Sequence, residues 1–283
     1  MSHLIVYSFL VYISFGCQQF ERKQTFTDDG LTVTQIDTSN IAKVEDIILP
    51  NGYTRVNYLN NHFGTFLRAQ KFDPDNTVHL FNGQEKSNQK VAFKVLNIDV
   101  GNKDLQQCAD AVIRLRAEYL FEQKKYDKIC FKFTNGQNAC WKDYARGMRA
   151  TLKGNNIVWK NTAAPDSSYK NFRSYLDLVF NYCGTQSLHR DLKSPKTNQK
   201  VEAGDVFIQT KQPFGHAVIV MDVAEDKSGN SIFLLAQSYM PAQQIHILKN
   251  FNNSALSPWY SLKDTDELIT PEWEFKAKDR KMF

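Results

Sequence analysis

The residues with the clearest chemical potential lie in one stretch of the chain, residues 204–243. Apolar runs separated by polar turns predict three strands there, at residues 206–209, 217–223 and 231–237. Runs this apolar are typical of strands that are buried on both faces. Fold signal and candidate chemistry therefore coincide in this stretch.

His216 and Gln237 are the candidate site residues within it. His216 stands just before the second predicted strand, and Gln237 closes the third. If the hairpin pairs Val223 with Ile232, His216 lies opposite Tyr239 and Gln237 is its diagonal neighbour on the same face. A register shift of one residue would separate the two side chains.

Cys108 is the candidate nucleophile. It lies in the first turns of a helix predicted over residues 104–124, and Gln106 and Gln107 precede it with amides that could serve an oxyanion site. A thiol near an imidazole, at the start of a helix that lowers its pKa, is the requirement of a papain-type mechanism. Cys108 also lies on the apolar stripe of this helix, so packing in the core is the alternative.

The order of these features resembles the second half of NlpC-type papain-fold cysteine peptidases and amidases: a Gly-Asp strand, a turn, a His that opens the next strand and a polar residue that closes the following one. The resemblance implies that His216 is the general base and that Gln237 orients it. The nucleophile of that family opens the helix just before the Gly-Asp strand, and the corresponding stretch here, residues 172–174, has no Cys. This difference favours a binding domain without catalysis, with a thiol hydrolase as the alternative.

Longer runs give a second resemblance, which covers most of the chain. The runs NIDVGNKDLQQCADAVIRLRAEYLFEQKKYD, YLDLVFNYCGTQSL and LLAQSYMPAQQIHILKN resemble domain-of-unknown-function family 4846. The resemblance implies a bacterial envelope protein, often made with a lipoprotein-type signal. It brings no settled activity with it.

The N-terminus predicts export. Residues 4–15 are an apolar run of the length of a signal-peptide core, and Gly16 and Cys17 follow it as at a lipoprotein cleavage site. We expect a signal peptide over 1–16, a lipid-modified Cys17, a polar tether over 17–44 and a single domain over 45–283. The expected location is the bacterial cell envelope, where the protein is anchored to the membrane and faces the periplasm or the exterior.

Four further cysteines allow three disulfide pairings, and export would let disulfides persist. Cys130 and Cys140 flank the turn-forming pair Asn135 and Gly136, so they are expected to be near neighbours. Buried free thiols remain the alternative, and the pairing that involves Cys108 and Cys183 stays open.

The predicted elements indicate an α+β fold, and the NlpC resemblance implies a papain-like, NlpC-related antiparallel sheet packed on two main helices. The second main helix is predicted over residues 167–182 and a shorter one over 141–149. Further strands are predicted over 78–81, 91–100, 129–133 and 245–249.

Composition excludes some function classes and leaves others open. The net charge of +5 is spread along the chain, which argues against nucleic acid as a partner. His79, Asp99, His189, His216 and His246 show no metal-ligand spacing, and no cofactor is expected. Arginines in and after the long helix, Arg114, Arg116, Arg146 and Arg149, could bind an acidic glycan or a peptide carboxylate, or form surface ion pairs.

The functional expectation is an envelope domain that binds a peptidoglycan-type peptide or a glycan in a papain-like cleft without catalysis. The alternative is a thiol hydrolase or amidase of such peptides that uses Cys108, His216 and Gln237. The sequence does not indicate an oligomeric state.

Overall fold

The computed structural model of the 283-residue chain describes residues 24–26, 32–34, 40–154, 156–262 and 266–283. The chain forms two compact units, residues 1–40 and 41–283. The predicted signal peptide and Cys17 lie outside the described residues. Among the described residues, no helix combines the length and the apolar character that are needed to cross a membrane.

The described part of the chain contains five α-helices. They are α1 (Phe63–Arg68), α2 (Cys108–Glu122), α3 (Trp141–Ala145), α4 (Tyr169–Tyr182) and α5 (Thr185–Asp191).

The strands are short except in the centre of the domain. They are β1 (Gln24–Phe26), β2 (Thr32–Thr34), β3 (Tyr53–Arg55), β4 (Ala92–Val95), β5 (Cys130–Lys132), β6 (Asn138–Cys140), β7 (Met148–Lys153), β8 (Asn156–Asn161), β9 (Val206–Gln209), β10 (His216–Asp226), β11 (Ser231–Gln237), β12 (His246–Leu248), β13 (Trp259–Tyr260), β14 (Glu267–Ile269), β15 (Glu274–Lys276) and β16 (Arg280–Lys281).

One antiparallel sheet organises the larger unit. Its strand order is β16-β9-β10-β11-β12-β4, and β3 and β13 pair with β10 and β11 respectively. β10 and β11 are buried along nearly their whole length, which agrees with their continuous apolar sequence. The mixed α/β class and the antiparallel sheet are therefore confirmed, and β9 and β11 have the predicted bounds. In the smaller unit, β1 pairs with β2.

The two main helices lie on different neighbours. α2 packs on β10 and β11, whereas α4 packs on α3. The apolar face of α4 is buried as its helical spacing predicts, with Phe172, Tyr175, Leu176, Val179 and Phe180 all in the core.

Several element boundaries differ from the prediction. The helix predicted over 141–149 ends at Ala145, and β7 begins at Met148. Gly147 causes the change, because its φ of +101° is left-handed and a Cβ there would lie 2.0 Å from the carbonyl oxygen of Ala163. The hairpin of β7 and β8 and the helix α5 were not predicted. In place of the strand predicted over residues 78–81, the structure has isolated bridges of His79 with Glu85 and of Leu80 with Gln243.

The cysteines of the domain divide into a bonded pair and two free thiols. Cys130 and Cys140 face each other across β5 and β6 and form a disulfide, so their predicted proximity is confirmed. Cys108 and Cys183 are free. At the start of the larger unit, Ile41 and Val44 are buried in the core, so the packed domain begins before residue 45.

Candidate functional site

Cys108 is the first residue of α2, and its sulfur meets the start of β10. Gln107 precedes the helix with an extended backbone, and the Asp110 carboxylate accepts the backbone N–H of Gln107. The Cys108 sulfur lies 3.9 Å from the carbonyl oxygen of Gly215, the residue before His216. The fold thus brings the Cys108 sulfur to the backbone next to the candidate His, although about a hundred residues separate the two in sequence.

The NlpC resemblance implied a nucleophile at residues 172–174, at the start of a helix. In the structure these residues are not at a helix start that faces the sheet. Residues 172–174 lie within α4, whose first residue is Tyr169 and which packs on α3. The helix that packs on β10 and β11 is α2, and it does begin with a Cys. The absence of a Cys at 172–174 consequently says nothing about a thiol at the candidate site.

His216 and Gln237 are in direct contact. The Nε2 atom of His216 lies 2.9 Å from Oε1 of Gln237, and both side chains are buried. The two residues lie at the paired ends of β10 and β11, so the sheet register determines their contact. This is the geometry expected from the sequence, although the assumed register was wrong at the turn.

A β-bulge in β10 explains why His216 and Gln237 meet although the register at the turn differs from the assumed one. Near the turn Val223 pairs with Phe233 and not with Ile232, so the hairpin begins one residue out of the assumed register. The register shifts between Val220 and Asp222, and beyond that point Ile219 pairs with Ala236. The extra residue restores the alignment that places His216 across from Tyr239, and their rings meet at 5.0 Å.

Glu272 and Lys86 fix the orientation of the Gln237 side chain through hydrogen bonds. The Gln237 amide Nε2 donates to Oε2 of Glu272 at 2.6 Å, and the Lys86 ammonium donates to the other oxygen of Glu272 at 2.7 Å. The Gln237 amide also lies 3.5 Å from Nε2 of His246. Sequence reasoning missed Lys86 and Glu272, because each lies in a loop and far along the chain from its partner.

This network selects one tautomer of His216. A carboxylate only accepts hydrogen bonds, so the Gln237 amide must direct its NH₂ group toward Glu272. Its Oε1 atom therefore points toward His216. Nε2 of His216 therefore carries the proton and donates it to Gln237. The other ring nitrogen, Nδ1, is left as an acceptor, and it is buried without a hydrogen-bond partner.

Aromatic rings cover the His216 imidazole. Besides Tyr239, Trp273 lies 5.2 Å and Phe275 5.9 Å from it between ring centres. Only 1% of the residue is exposed. A general base that meets a substrate would border a cleft, but the His216 ring is enclosed, because the aromatic residues of the C-terminal segment pack over it.

Burial sets the protonation of both groups. It lowers the pKa of His216 to about 4, against the smaller opposing effect of the Gln237 hydrogen bond. It also raises the pKa of the Cys108 thiol to about 11; the charge of Asp110 adds to the rise, and backbone N–H groups of Ala109 and Ala217 oppose it. At neutral pH the site therefore holds a neutral thiol and a neutral imidazole rather than a thiolate–imidazolium pair.

An open groove of about 370 Å³ leads to the thiol. Its walls come from the start of α2, the end of α4 and the loop before β10, with Cys108, Asp110, Phe180, Phe214, Gly215 and Met240 among the lining residues. Polar side chains, among them Gln107 and Asn181, line the groove together with the apolar ones, which suits a polar organic ligand such as a peptide.

Gly215 allows the groove wall to close on the start of β10. A Cβ at this position would lie 2.3 Å from the carbonyl oxygen of Gln209 and 2.5 Å from Oγ1 of Thr185. Only a glycine lets β9, α5 and the residue before His216 approach this closely.

The two amides before Cys108 differ in availability. Gln107 lines the groove, but its Nε2 donates to Oδ1 of Asp104 at 3.1 Å. Gln106 is buried; its Oε1 accepts from Arg114, and its Nε2 has no partner. Gln106 therefore has the free donor, although it is not one of the residues that line the groove.

The His and Asp residues that were considered as metal ligands do not form a group in the structure. Within the described ranges, no three His, Cys, Asp or Glu side chains are grouped closely enough to hold a metal ion. His246 lies beside Gln237, and His79 lies 4.0 Å from Asp75 as an i,i+4 pair. We therefore assign none of these side chains to a metal centre.

Comparison with known proteins gives one finding. The family model described as a domain of unknown function (4846) matches residues 44–281. No curated protein and no solved structure matches the chain.

Proposed function

Because the chain belongs to domain-of-unknown-function family 4846, its activity has to be argued from its own residues, and we propose that it is a thiol hydrolase or amidase that cleaves peptide amide bonds. The observation that carries the proposal is the His216–Gln237 contact at 2.9 Å. The Cys108 sulfur lies 3.9 Å from the carbonyl oxygen of Gly215, the residue before His216. These are a nucleophile, a base and an orienting group.

The proposed reaction begins from the neutral pair. The Cys108 sulfur attacks the amide carbonyl carbon while its proton passes to Nδ1 of His216. The carbon–nitrogen bond then breaks, and the imidazolium returns the proton to the leaving amine, which leaves a thioester on Cys108. Water gives a proton to Nδ1 as it attacks the thioester, and the same proton restores the thiol when the acid departs.

Each supporting residue has a role in this scheme. Gln237 keeps the proton on Nε2, so that Nδ1 is the base, and the ion pair of Lys86 with Glu272 keeps the Gln237 amide in that orientation. Backbone N–H groups at the start of α2 are the donors nearest in sequence to the thiol for a developing oxyanion.

A second candidate function rests on a specific observation. The imidazole is enclosed, and the thiol pKa is raised to about 11, a combination that suits a groove that binds a peptide or glycan without cleaving it. The two functions share the groove and differ in whether Cys108 reacts.

The cellular setting is part of the same proposal. We place the domain at the bacterial envelope, exported by residues 1–16 and anchored through a lipid on Cys17, with the peptides of peptidoglycan as the first substrates to test. The apolar run before Gly16 and Cys17 supports this setting.

The test compares the two free cysteines. Purified protein is incubated with peptidoglycan stem peptides, and mass spectrometry looks for products that have gained one water. We expect cleavage by the wild type and by Cys183→Ser, and loss of cleavage in Cys108→Ser and in His216→Ala. Cleavage that survives Cys108→Ser would refute the mechanism. Binding of these peptides by all four proteins without cleavage would favour the second function.

A further inference from the structure

A second groove adjoins the one that holds the thiol. It has a volume of about 270 Å³ and lies between the loop before α2 and one face of α4. The two grooves lie side by side, with Leu105 and Phe180 common to both, so that a bound chain that passes Cys108 can extend toward the second groove.

The second groove contains a cation that the protein compensates incompletely. Arg173 is mostly buried, and its nearest carboxylate, Asp99, lies 3.7 Å from Nη2 with a side chain that is 74% exposed. Nη1 of Arg173 has no hydrogen-bond partner. A buried guanidinium normally has a close, hydrogen-bonded counter-ion, because desolvation of an unpaired charge is costly.

The neighbouring charges compensate Arg173 only in part, because the Glu118 carboxylate that acts on it also accepts a hydrogen bond from Arg114. Arg114 adds a like charge, and its own nitrogens are engaged by Glu118, Gln106 and Tyr169. Lys170 lines the groove as a further cation without an ion pair among the described residues, while Lys103 is paired with Asp177. The side chains that line the groove carry three positive charges, on Lys103, Lys170 and Arg173, against two negative charges, on Asp99 and Asp177, so one positive charge is left over.

The helix geometry gives the distance of this charge from the reaction. Arg173 and Phe180 are seven residues apart on α4, and at 1.5 Å per residue the separation is about 10 Å along the helix axis. An extended peptide advances about 3.3 Å per residue. A ligand that reaches from Phe180 to Arg173 therefore spans about three residues.

We propose that the second groove binds a carboxylate of the substrate peptide, held by Arg173 about three residues from the amide that Cys108 attacks. The inference rests on the proposed function for its direction, because it identifies the substrate as an acidic peptide. The binding event itself does not require the thiol.

Binding is therefore measured by calorimetry on the Cys108→Ala variant of the full chain. The probes are five-residue alanine peptides, acetylated and amidated at their ends, with Glu or Gln at the first or the last position. Glu and Gln have the same shape, so each pair differs only in the charge. We expect one Glu peptide to bind about tenfold more tightly or better than its Gln twin, which is the scale of one charge-assisted pair.

Arg173→Gln should abolish the difference between the twin peptides, and Arg173→Lys should restore part of it. Arg190→Gln removes an exposed arginine of α5 that lines neither groove and should leave the preference intact. Thermal unfolding of each variant verifies the fold. Equal binding of the twins, no binding of either, or a charge preference that survives Arg173→Gln in a folded protein would overturn the inference.

The result is separable from the proposed function. Acidic peptides that bind through Arg173 without being cleaved by the wild type would remove the hydrolase and keep the carboxylate site. Cleavage by the wild type that shows no preference for Glu over Gln would support the hydrolase and exclude the carboxylate site.

Discussion

The enclosed imidazole of His216 predicts an unusual pH dependence. A general base must be neutral to accept a proton, and burial lowers the pKa of His216 to about 4. The fraction of competent base therefore stays high as the pH falls below the ordinary histidine pKa of about 6.5, and it is lost only as the pH approaches 4.

We expect kcat/KM for peptide cleavage to stay level from pH 7 down to about pH 5 and then to fall. Initial rates measured across this range test the expectation, with circular dichroism in the same buffers to show that the protein remains folded. An acid limb centred at the ordinary histidine value would mean that water reaches the ring.

The contact of His216 with Gln237 could be predicted from the sequence because both residues belong to one hairpin with a short turn. Lys86 and Glu272 could not, because they reach Gln237 from loops far away in the chain. Nor could the sequence show that the His216 ring is covered, since Trp273 and Phe275 arrive from the C-terminal segment. Local patterns thus predicted the pair, and tertiary packing determined its environment.

At the scale of elements, the close approach at Gly215 positions the start of β10. Gly215→Ala would place a Cβ 2.3 Å from a backbone oxygen of β9, so one of the two strands must move and His216 moves with it. We expect a lower melting temperature and a loss of peptide cleavage of about tenfold or more, because small displacements of reacting groups are costly.

Gly184→Ala is the matched control for Gly215→Ala. Gly184 lines the same groove, its φ is −178° and its added Cβ would meet nothing within 4 Å. This variant should keep the stability of the wild type. If both alanine variants behaved alike, the packing around Gly215 would not be what positions the strand.

The buried stripe of α2 is expected to support the domain as a whole. Leu115 is fully buried beneath the sheet, so Leu115→Ala should lower the free energy of unfolding by about 2 to 5 kcal/mol through the lost contacts and the cavity. Chemical denaturation measures it. Leu152→Ala, at an exposed leucine of β7, should change it by less than about 0.5 kcal/mol.

Elements whose signal is local matched the sequence best. β9 and β11 have the predicted bounds, because polar turns flank them on both sides. α2 begins at Cys108 rather than at residue 104 because the preceding residues are held in other contacts, among them the Asp104 carboxylate with the N–H of Ala242. That partner is distant in sequence, so no local pattern could have placed the helix start.

At the scale of the whole molecule, the location of the protein depends on residues outside those described. We expect metabolic labelling with a fatty acid to mark the wild type and to leave Cys17→Ser unmarked, because the sulfur of Cys17 is the proposed attachment atom. Cys183→Ser serves as a control that should label normally. Equal labelling of wild type and Cys17→Ser would show that the anchor is elsewhere or absent.

A buried carboxylate joins the first part of the domain to the sheet. Asp222 lies at the bulge of β10 and is fully buried, and Arg55 and Arg68 bind its two oxygens at 2.7 and 2.5 Å. The partners come from β3 and α1. Removal of Asp222 would leave two guanidinium groups without their counter-ion.

If the chain is tethered at its N-terminus, this double ion pair would also carry mechanical load. Tension that enters at residue 41 passes along β3 and α1, and both are fastened to β10 at Asp222. The bulge at this point separates the fastened end of β10 from the end that begins at His216. A pull on the anchor would therefore be resisted at one end of the strand while the candidate site lies at the other.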